Sequence, residues 1–140
     1  MPHPDPIAVV THFNTVWDAG DIDGVLALMA DHAEYELHIS KDVLPYGGMA
    51  AGHAEIGEKL RRMRADWDYI LYRPFSLAAD GSIVRFQVEF MYRHRESGQV
   101  LSGRFRLVIR VEVGLIRRVD EFHDRAKVEA FMRLVRASRP

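Results

Sequence analysis

The second half of the chain alternates apolar and polar residues with a period of two, and this pattern constrains the fold more than any other feature. Such alternation is typical of strands that bury one face. Turn signals containing glycine interrupt it at residues 80–81, 97–98 and 112–114. The pattern therefore predicts four antiparallel strands joined by hairpins. These strands span residues 69–79, 83–94, 99–111 and 115–123.

The turns decide which residues face each other across the predicted hairpins. A two-residue turn at 97–98 places Phe90 opposite Phe105. A three-residue turn at 112–114 then places Phe105 opposite Glu121. One inner face results, and its apolar members are Phe75, Leu77, Phe86, Val88, Phe90, Phe105, Leu107, Ile109 and Val119.

The opposite face of the same strands carries charges. The registers predict a ladder of Glu89, Arg106 and Asp120, which we interpret as structural, because such pairs contribute about 0.2–1 kcal/mol each. The direction of Arg73 stays open, since strict alternation points it inward and a bulge beside Pro74 would turn it outward. The apolar outer residues, which would suit a self-complementary contact between two copies, are Met91, Val108, Ile116 and Phe122.

The first part of the chain has helical periodicity. Asp5 and Asp21 are predicted to cap two helices, and Asp124 is predicted to cap the last one. A strand is predicted at residues 33–39. The helix between this strand and the meander would carry Ile56, Leu60, Met63 and Trp67 on one face. This order of elements predicts the α+β class, with helices packed against one antiparallel sheet.

Two polar residues, Glu121 and His123, fall on the inner face of the predicted sheet. Their predicted neighbours are Phe90, Tyr92, Gly103 and Phe105, and the glycine would leave room for a ligand. An apolar cavity with a few convergent polar groups is the usual form of a small-molecule site. A carboxylate and a nearby imidazole can accept and return a proton. The sequence therefore predicts one of two sites. Either Glu121 and His123 form a catalytic pair, or the cavity holds water and the carboxylate only accepts a hydrogen bond from Tyr92 or His123.

Three segments resemble the nuclear-transport-factor-2-like superfamily, and within it the SnoaL-like polyketide cyclases and ketosteroid isomerases. They are residues 16–37 (VWDAGDIDGVLALMADHAEYEL), Gly52 and residues 114–124 (GLIRRVDEFHD). The resemblance covers essentially the whole chain and implies a single SnoaL-like domain over residues 1–140. It also implies a cone-shaped, curved antiparallel sheet with the N-terminal helices on its concave face, a cystatin-like α+β roll. Members of the family are frequently homodimers packed through the outer sheet face.

The resemblance argues against two activities found on this fold. The isomerases use a Tyr on the first helix, a general-base Asp on the first strand and a protonated carboxylic acid, and this chain has Phe13, Leu37 and Gly103 at or next to those places. The epoxide hydrolases use an Arg and an Asp on one face of a central strand. The inward residues of that strand here are Gly103, Phe105 and Leu107.

The SnoaL-like cyclases resemble the chain better. They place an acid/base carboxylate on the last strand with a His nearby, which matches Glu121 and His123, although the cyclase acid is Asp. Asp120 is the other candidate, but the registers point it outward. The resemblance implies an isomerase, cyclase or lyase that acts without a cofactor on a small apolar carbonyl compound. Tyr35 or Tyr92 would donate a hydrogen bond.

The alternative is a non-catalytic module of the same fold that binds small ligands or forms homodimers. In either case the residues expected to line the pocket are Phe13, Trp17, Tyr35, Leu37, Phe86, Phe90, Tyr92, Gly103, Phe105 and Val119.

Composition argues against other classes of function. A formal net charge of −1 gives no basic field for nucleic acid, and the absence of Cys excludes disulfides and thiolate chemistry. No apolar stretch approaches the roughly 20 residues that span a bilayer, and the start, MPHPDPIAVV, does not have the pattern of a secretory signal. We therefore expect a cytoplasmic protein whose partners are neither membranes nor nucleic acids.

No spacing of histidines and acids indicates a metal site, so none is expected. His53 is expected to cap the third helix and His38 to face outward. The histidines expected to be exposed are His12, His32 and His94. The role of the Pro- and Gly-rich loop at residues 40–52 stays open, since its Tyr46 would either be solvated or close over a ligand.

Overall fold

A computed structural model describes residues 3–139 as four helices and six strands, and the α+β class is confirmed. The helices are α1 (Pro6–Asp18), α2 (Ile22–Ala27), α3 (Gly52–Asp66) and α4 (Arg125–Ala137). The strands are β1 (Met29–Leu37), β2 (Gly48–Ala51), β3 (Trp67–Asp80), β4 (Ile83–His94), β5 (Val100–Glu112) and β6 (Leu115–Phe122). Within residues 3–139, no helix has the length and apolar character needed to cross a membrane.

All six strands form one curved sheet in the order β2-β1-β6-β5-β4-β3. The hairpins that join β3 to β6 are antiparallel, as predicted. β1 pairs with β6 in parallel, and this pairing places Leu37 beside Glu121. The predicted hairpins gave no indication of it. The first strand of the chain and the last therefore meet at the same place in the sheet.

Aspartates cap three helices, as predicted. Asp5, Asp21 and Asp124 each accept a hydrogen bond from a backbone N–H in the first turn of α1, α2 and α4. These bonds satisfy donors that have no partner within the helix. Trp67 was predicted on the apolar face of α3, but the helix ends at Asp66. Trp67 is instead the first residue of β3, and its side chain is buried.

The register across the meander differs from the prediction by two residues. Phe90 lies opposite Gly103, not Phe105. The hairpin between β4 and β5 is longer than predicted, because the N–H of His94 donates to the carbonyl of Gln99 at 2.8 Å and leaves four residues between them. The pairing of β5 with β6 also slips by two residues, but for another reason: the turn there has two residues, not the predicted three, and a bulge follows between Arg110 and Val111. Because side chains alternate along a strand, a slip of two residues leaves each of them on its predicted face.

Bulges correct the predicted direction of particular side chains. The register between β3 and β4 shifts after Phe75, where Ser76 has a positive φ of 58°. Phe75 therefore faces outward, opposite Gln87, and not into the core. Arg73 also faces outward and lies 2.7 Å from a carboxylate oxygen of Glu89, which settles its direction.

Ile116 was predicted on the outer face, and the structure buries it completely. The cause is a second shift of register, between Arg110 and Val111, which places Ile116 opposite Val111. The predicted ladder of Glu89, Arg106 and Asp120 is also wrong, because the slip separates its members. Glu89 binds Arg73 and Asp120 binds Arg118 instead.

The histidines follow the expectations in part. His94 is buried, contrary to the prediction, and its Nδ1 lies 2.9 Å from Oγ of Ser97. His53 does not cap α3, because its Nε2 lies 3.0 Å from the carbonyl oxygen of Met29. His12 and His32 are exposed and His38 is half-buried on the outer face.

Candidate functional site

Glu121 is the only buried acidic residue among residues 3–139, with 5% of its surface exposed. It lies on β6, beside Leu37 of β1 and opposite Leu107 of β5. Its inward direction agrees with the prediction. Apolar neighbours of this kind would make an unpaired carboxylate very costly, so polar partners are needed.

Two side chains supply these partners. The hydroxyl of Tyr35 donates a hydrogen bond to Oε1 of Glu121. Nε2 of His123 lies 2.6 Å from Oε2 of the same carboxylate, which accepts the bond when that nitrogen carries the proton. We call these three residues the buried array. They come from β1, the end of β6 and the residue just after it, so the array forms only when the two halves of the chain meet.

His123 lies between the interior and the surface. Its ring stacks on Phe105 with ring centroids 4.4 Å apart and meets Phe90 edge to face at 5.9 Å. It lines an inner cavity together with Glu121 and also lines a groove that opens to the outside. Among residues 3–139, Nδ1 of His123 has no hydrogen-bond partner. The imidazole is therefore placed to exchange protons between the carboxylate and the groove.

Two small cavities touch Glu121, with volumes of about 40 Å³ and about 10 Å³. The larger one has room for only one to about three water molecules. Of the residues predicted to line the pocket, those at the larger cavity are Leu37, Phe90 and Tyr92. Those at the smaller cavity are Phe13, Trp17, Tyr35, Tyr92 and Phe105.

Three predicted pocket residues do not line either cavity. Phe86 and Val119 are buried in the core further along the sheet. The space left by Gly103 is filled, because a Cβ at that position would lie only 2.7 Å from Nζ of Lys127. The sequence indicated the missing side chain correctly but gave no signal that a lysine of α4 covers it.

Part of the cavity wall was not predicted from the sequence pattern. The missed residues include Ile39, Leu44, Tyr46, Met63, Trp67 and Tyr69. Tyr46 is buried at 7% exposure, so of the two alternatives for its side chain the solvated one is wrong. The available signal was the presence of a leucine and a tyrosine inside a loop otherwise rich in Pro and Gly.

Residues 40–47, which we call the strap, close the larger cavity. Nζ of Lys59 donates to the carbonyl oxygens of Tyr46 and, at 2.9 Å, Gly48. Nε1 of Trp67 donates to the hydroxyl of Tyr46. Arg136 of α4 donates to two further strap carbonyls at 2.8 and 3.3 Å. Burial lowers the pKa of Lys59 to about 8, because it disfavours the charged amine.

The tyrosines around Glu121 are strong candidates for hydrogen-bond donors. Burial raises the pKa of Tyr35 well above its ordinary value, and the neighbouring charge of Glu121 raises it further. The same two causes, in the same order, raise the pKa of Tyr69 and of Tyr72. These phenols therefore remain protonated at neutral pH and can only donate or accept as neutral groups.

A second polar cluster lies on the outer face. Glu36, His38 and Asp120 offer ligand atoms that lie within 4.8 Å of one another, as a metal ion would require. Arg118 already occupies the cluster, with hydrogen bonds of 2.9 Å to both Glu36 and Asp120. A cation there would meet the charge of this guanidinium, so the absence of a metal stays our prediction.

The chain matches the family model described as SnoaL-like domain over residues 10–119. No curated protein matches the sequence. Many solved structures share the fold. One is an NTF2-like protein from Burkholderia thailandensis, with a TM-score of 0.79 and 22% identity over 98% of this chain and 99% of that chain.

Two further structures were solved with small molecules. TerC, co-crystallized with polyporic acid, has a TM-score of 0.76 and 19% identity over 91% of this chain and 98% of that chain. A protein from Catenulispora acidiphila with a ketosteroid isomerase-like fold, in complex with trimethylamine, has a TM-score of 0.77 and 15% identity over 99% of this chain and 100% of that chain. Identities this low establish the fold alone.

Proposed function

Because the chain belongs to the SnoaL-like domain family, we propose that it is an acid/base enzyme of the isomerase, cyclase or lyase type. Its substrate would be a small, mostly apolar molecule with a carbonyl group, bound beside Glu121. The proposed chemistry needs only proton transfer, for which the protein supplies all the groups.

One observation carries this proposal: a buried carboxylate is held by a phenol on one oxygen and an imidazole on the other. Apolar residues of similar volume often stabilise a protein core as well as buried charged groups do. Stability alone therefore does not explain why a carboxylate lies in this core. A few polar groups that converge in an apolar cavity are the usual form of a small-molecule site. We therefore assign Glu121 as the base, with His123 as its proton-exchange partner and Tyr35 as the positioning donor.

The proposed step is a proton transfer next to the carbonyl. The bond between hydrogen and the α-carbon breaks, its electron pair enters the enolate, and the proton moves to the carboxylate of Glu121. Where the substrate has a β,γ double bond, the anion is a dienolate, and return of that proton to its γ-carbon gives the α,β-unsaturated isomer without any co-reactant. His123, whose Nε2 lies 2.6 Å from Oε2, would exchange the proton with solvent when the reaction requires it.

Substrate entry requires the strap to move. The larger cavity has a volume of about 40 Å³, whereas ligand pockets usually measure about 300–1,000 Å³. The strap contributes Leu44 and Tyr46 to the cavity wall. Its displacement would open the space beside Glu121 without moving the sheet, and such loop motions are common in enzymes.

The small molecules found with relatives support a ligand-binding role. TerC was co-crystallized with polyporic acid, and the protein from Catenulispora acidiphila was solved in complex with trimethylamine. Both are small organic molecules, although their chemistry differs. They support the proposal that this chain also takes a small ligand, and they leave its chemical class to experiment.

Deuterium exchange tests the proposed step without a known substrate. The protein would be incubated in D₂O with a panel of cyclic ketones, from cyclopentanone to 2-tetralone, and loss of the α-proton signal followed by NMR. We expect faster exchange of at least one ketone with the native chain and loss of this acceleration in Glu121→Gln. The control is Asp120→Asn, which removes a carboxylate that points outward from the same strand.

Two outcomes would contradict the assignment. Acceleration that survives in Glu121→Gln would show that another group is the base. Loss of acceleration in Asp120→Asn, with Glu121→Gln unaffected, would move the site to the outer face. Circular dichroism of both variants would show whether each is folded.

A non-catalytic binder of small ligands is the second candidate. The observation that favours it is the full pairing of Glu121, whose two oxygens each already have a partner. Native mass spectrometry of the purified chain would support this alternative if a ligand is retained and leaves unmodified. Ketone exchange by the native chain would exclude it.

Oligomeric state and cellular location belong to the proposal as well. We propose a homodimer packed through the outer face, where Met91 and Val108 remain at least partly exposed. Native mass spectrometry at low concentration would show the dimer mass, and a monomer alone would exclude it. We also propose a cytoplasmic location, since a chain without Cys has no need of an oxidising compartment.

A further inference from the structure

A groove at the end of β6 is much larger than the cavity beside Glu121. It has a volume of about 500 Å³, within the usual range of small-molecule sites. The groove lies where β6 stops at Phe122 while β5 continues beyond it, so the two strands separate. It is bordered by β5 on one side and by the start of α4 on the other.

The groove is rich in positive charge. The charge comes from Arg104 and Arg106 of β5 and Arg125 at the start of α4. His38 and His123 also line the groove, but each lies against a carboxylate of the protein, Asp120 and Glu121 respectively. Asp124 is the only acidic residue in the lining, and its carboxylate accepts the capping hydrogen bond from the N–H of Lys127. The balance of charge therefore favours a negatively charged occupant.

The arginines of the groove differ from their neighbours on the outer face. Arg73, Arg93 and Arg118 each pair with a carboxylate at 2.7–2.9 Å. Among residues 3–139, Arg104, Arg106 and Arg125 form no salt bridge, although Glu89 is the cross-strand neighbour of Arg104. The groove thus holds guanidinium groups whose hydrogen-bond donors are not taken up by a carboxylate of the protein.

Aromatic rings hold two of these guanidinium groups in place. The guanidinium carbon of Arg104 lies 5.2 Å from the ring centroid of Phe75. That of Arg106 lies 4.8 Å from the ring centroid of Phe122, on which His38 also stacks at 4.2 Å. Stacking restricts these long side chains before any ligand binds. Less conformational entropy is therefore lost when an anion binds, and the hydrogen-bond donors are partly preorganised.

We propose that this groove binds the oxyanion group, carboxylate or phosphate, of a small molecule. Guanidinium groups bind both groups through paired, charge-assisted hydrogen bonds. Phe105 and Phe122 also line the groove, and the parts of their rings that remain free would contact the apolar part of the same molecule. The groove shares His123 with the inner cavity, so the anion would lie beside the buried array. Binding of the anion does not depend on the catalytic role proposed for Glu121.

Two probes separate the possible sources of the oxyanion: inorganic phosphate and benzoate. Each would be titrated into the full chain labelled with ¹⁵N, at about 0.15 M salt, where non-specific attraction is largely screened. We expect saturable shifts of backbone signals around residues 104–106 and 122–125. Saturation by benzoate alone would identify a carboxylate ligand, and saturation by phosphate alone would identify a phosphate ligand.

Matched variants test whether the groove is responsible. Arg106→Gln should weaken binding of the saturating probe by about tenfold, as expected for loss of one charge-assisted pair. Arg85→Gln removes one positive charge from an exposed position on β4, outside the groove, and should leave the affinity nearly unchanged. If Arg106→Gln does not fold, Arg104→Gln serves in its place.

Three results would overturn the proposal. The first is the absence of saturation by either probe. The second is an equal loss of affinity in Arg85→Gln and Arg106→Gln, which would indicate diffuse attraction by net charge. The third is a native dimer that dissociates in Arg106→Gln while neither probe binds, which would make the groove an interface between two copies. Loss of ketone exchange in Glu121→Gln would have no bearing on any of these results.

Discussion

The hydroxyl of Tyr35 donates to the carboxylate of Glu121 across a separation of 86 residues. The contact is possible because β1 and β6 are parallel neighbours, with Tyr35 beside Val119 and Leu37 beside Glu121. Parallel neighbours from distant parts of a chain need a long connection, and here the whole meander lies between them. The polar site therefore depends on completion of the sheet.

Tyr35→Phe should lower the free energy of unfolding by about 1.5–3 kcal/mol, because it leaves a buried carboxylate oxygen without its donor. Tyr72→Phe is the control. The hydroxyl of Tyr72 donates to a neutral acceptor, Oδ1 of Asn14, at 2.8 Å, so its loss should cost only about 0.5–1.5 kcal/mol. Urea unfolding of both variants measures the difference. A smaller loss in Tyr35→Phe than in the control would contradict a charged, buried partner.

The tyrosines of the native protein should resist ionisation. Burial is the first cause that raises the pKa of every one of the five tyrosines above 10.0. Above pH 10.0 the unfolded chain loses protons that the folded chain keeps, so the free energy of unfolding falls as the pH rises. Each tyrosine contributes at most about 1.4 kcal/mol per pH unit.

Ultraviolet absorbance of tyrosinate checks this prediction. We expect little tyrosinate in the folded protein near pH 10.0, followed by a steep rise that coincides with loss of circular dichroism. In concentrated urea the tyrosines should ionise gradually around their ordinary value. Gradual ionisation of the folded protein as well would contradict the burial of these rings.

Lys59 should make stability rise with pH in the weakly alkaline range. Its pKa is lowered from 10.5 to about 8, so between these values the unfolded chain binds a proton that the folded chain has lost. The free energy of unfolding of the native chain should therefore increase relative to that of Lys59→Met as the pH rises above about 8. Urea unfolding from about pH 7 to about pH 9.5 measures this, below the range where tyrosines dominate. Parallel curves for both proteins would refute it.

The turn between β5 and β6 offers a stabilising substitution. Val113 and Gly114 both have positive φ, of 56° and 76°, as in a type I′ turn. A β-branched residue is strained there, and Val113 is 61% exposed, so its side chain contributes little packing. Val113→Asn should stabilise the protein by about 1 kcal/mol, seen as a higher Tm. Val100→Asn, at a 48% exposed position within β5, should bring no such gain.

Local signals predicted much of this fold. The helix caps at Asp5, Asp21 and Asp124 depend on bonds within one turn, so the sequence contains all the information they need. The face of Glu121 was predictable for a similar reason, since alternation along β6 is a local property. Its partner Tyr35 was named only as one of two possible donors, because the parallel pairing of β1 with β6 is not encoded in any hairpin.

The errors have long-range causes. The turn signal at Ser97-Gly98 is compatible with loops of different length, and the bond between His94 and Gln99 selects the longer one. The outward turn of Phe75 depends on a positive φ at Ser76, for which a serine gives no signal. Burial of Tyr46 depends on Lys59 and Trp67, which lie on other elements. A local sequence pattern does not reveal contacts between residues that lie this far apart in the chain.

The two-residue difference between the predicted and the observed meander has a consequence for how the chain folds. A hairpin of β4 and β5 that forms with Phe90 opposite Phe105 buries the same side chains as one with Phe90 opposite Gly103. Hydrophobic collapse alone does not distinguish these two arrangements. We expect intermediates with the wrong alignment to accumulate during refolding and to rearrange slowly. Two features stabilise only the correct alignment: the hydrogen bond between His94 and Gln99, and the pairing of β1 with β6.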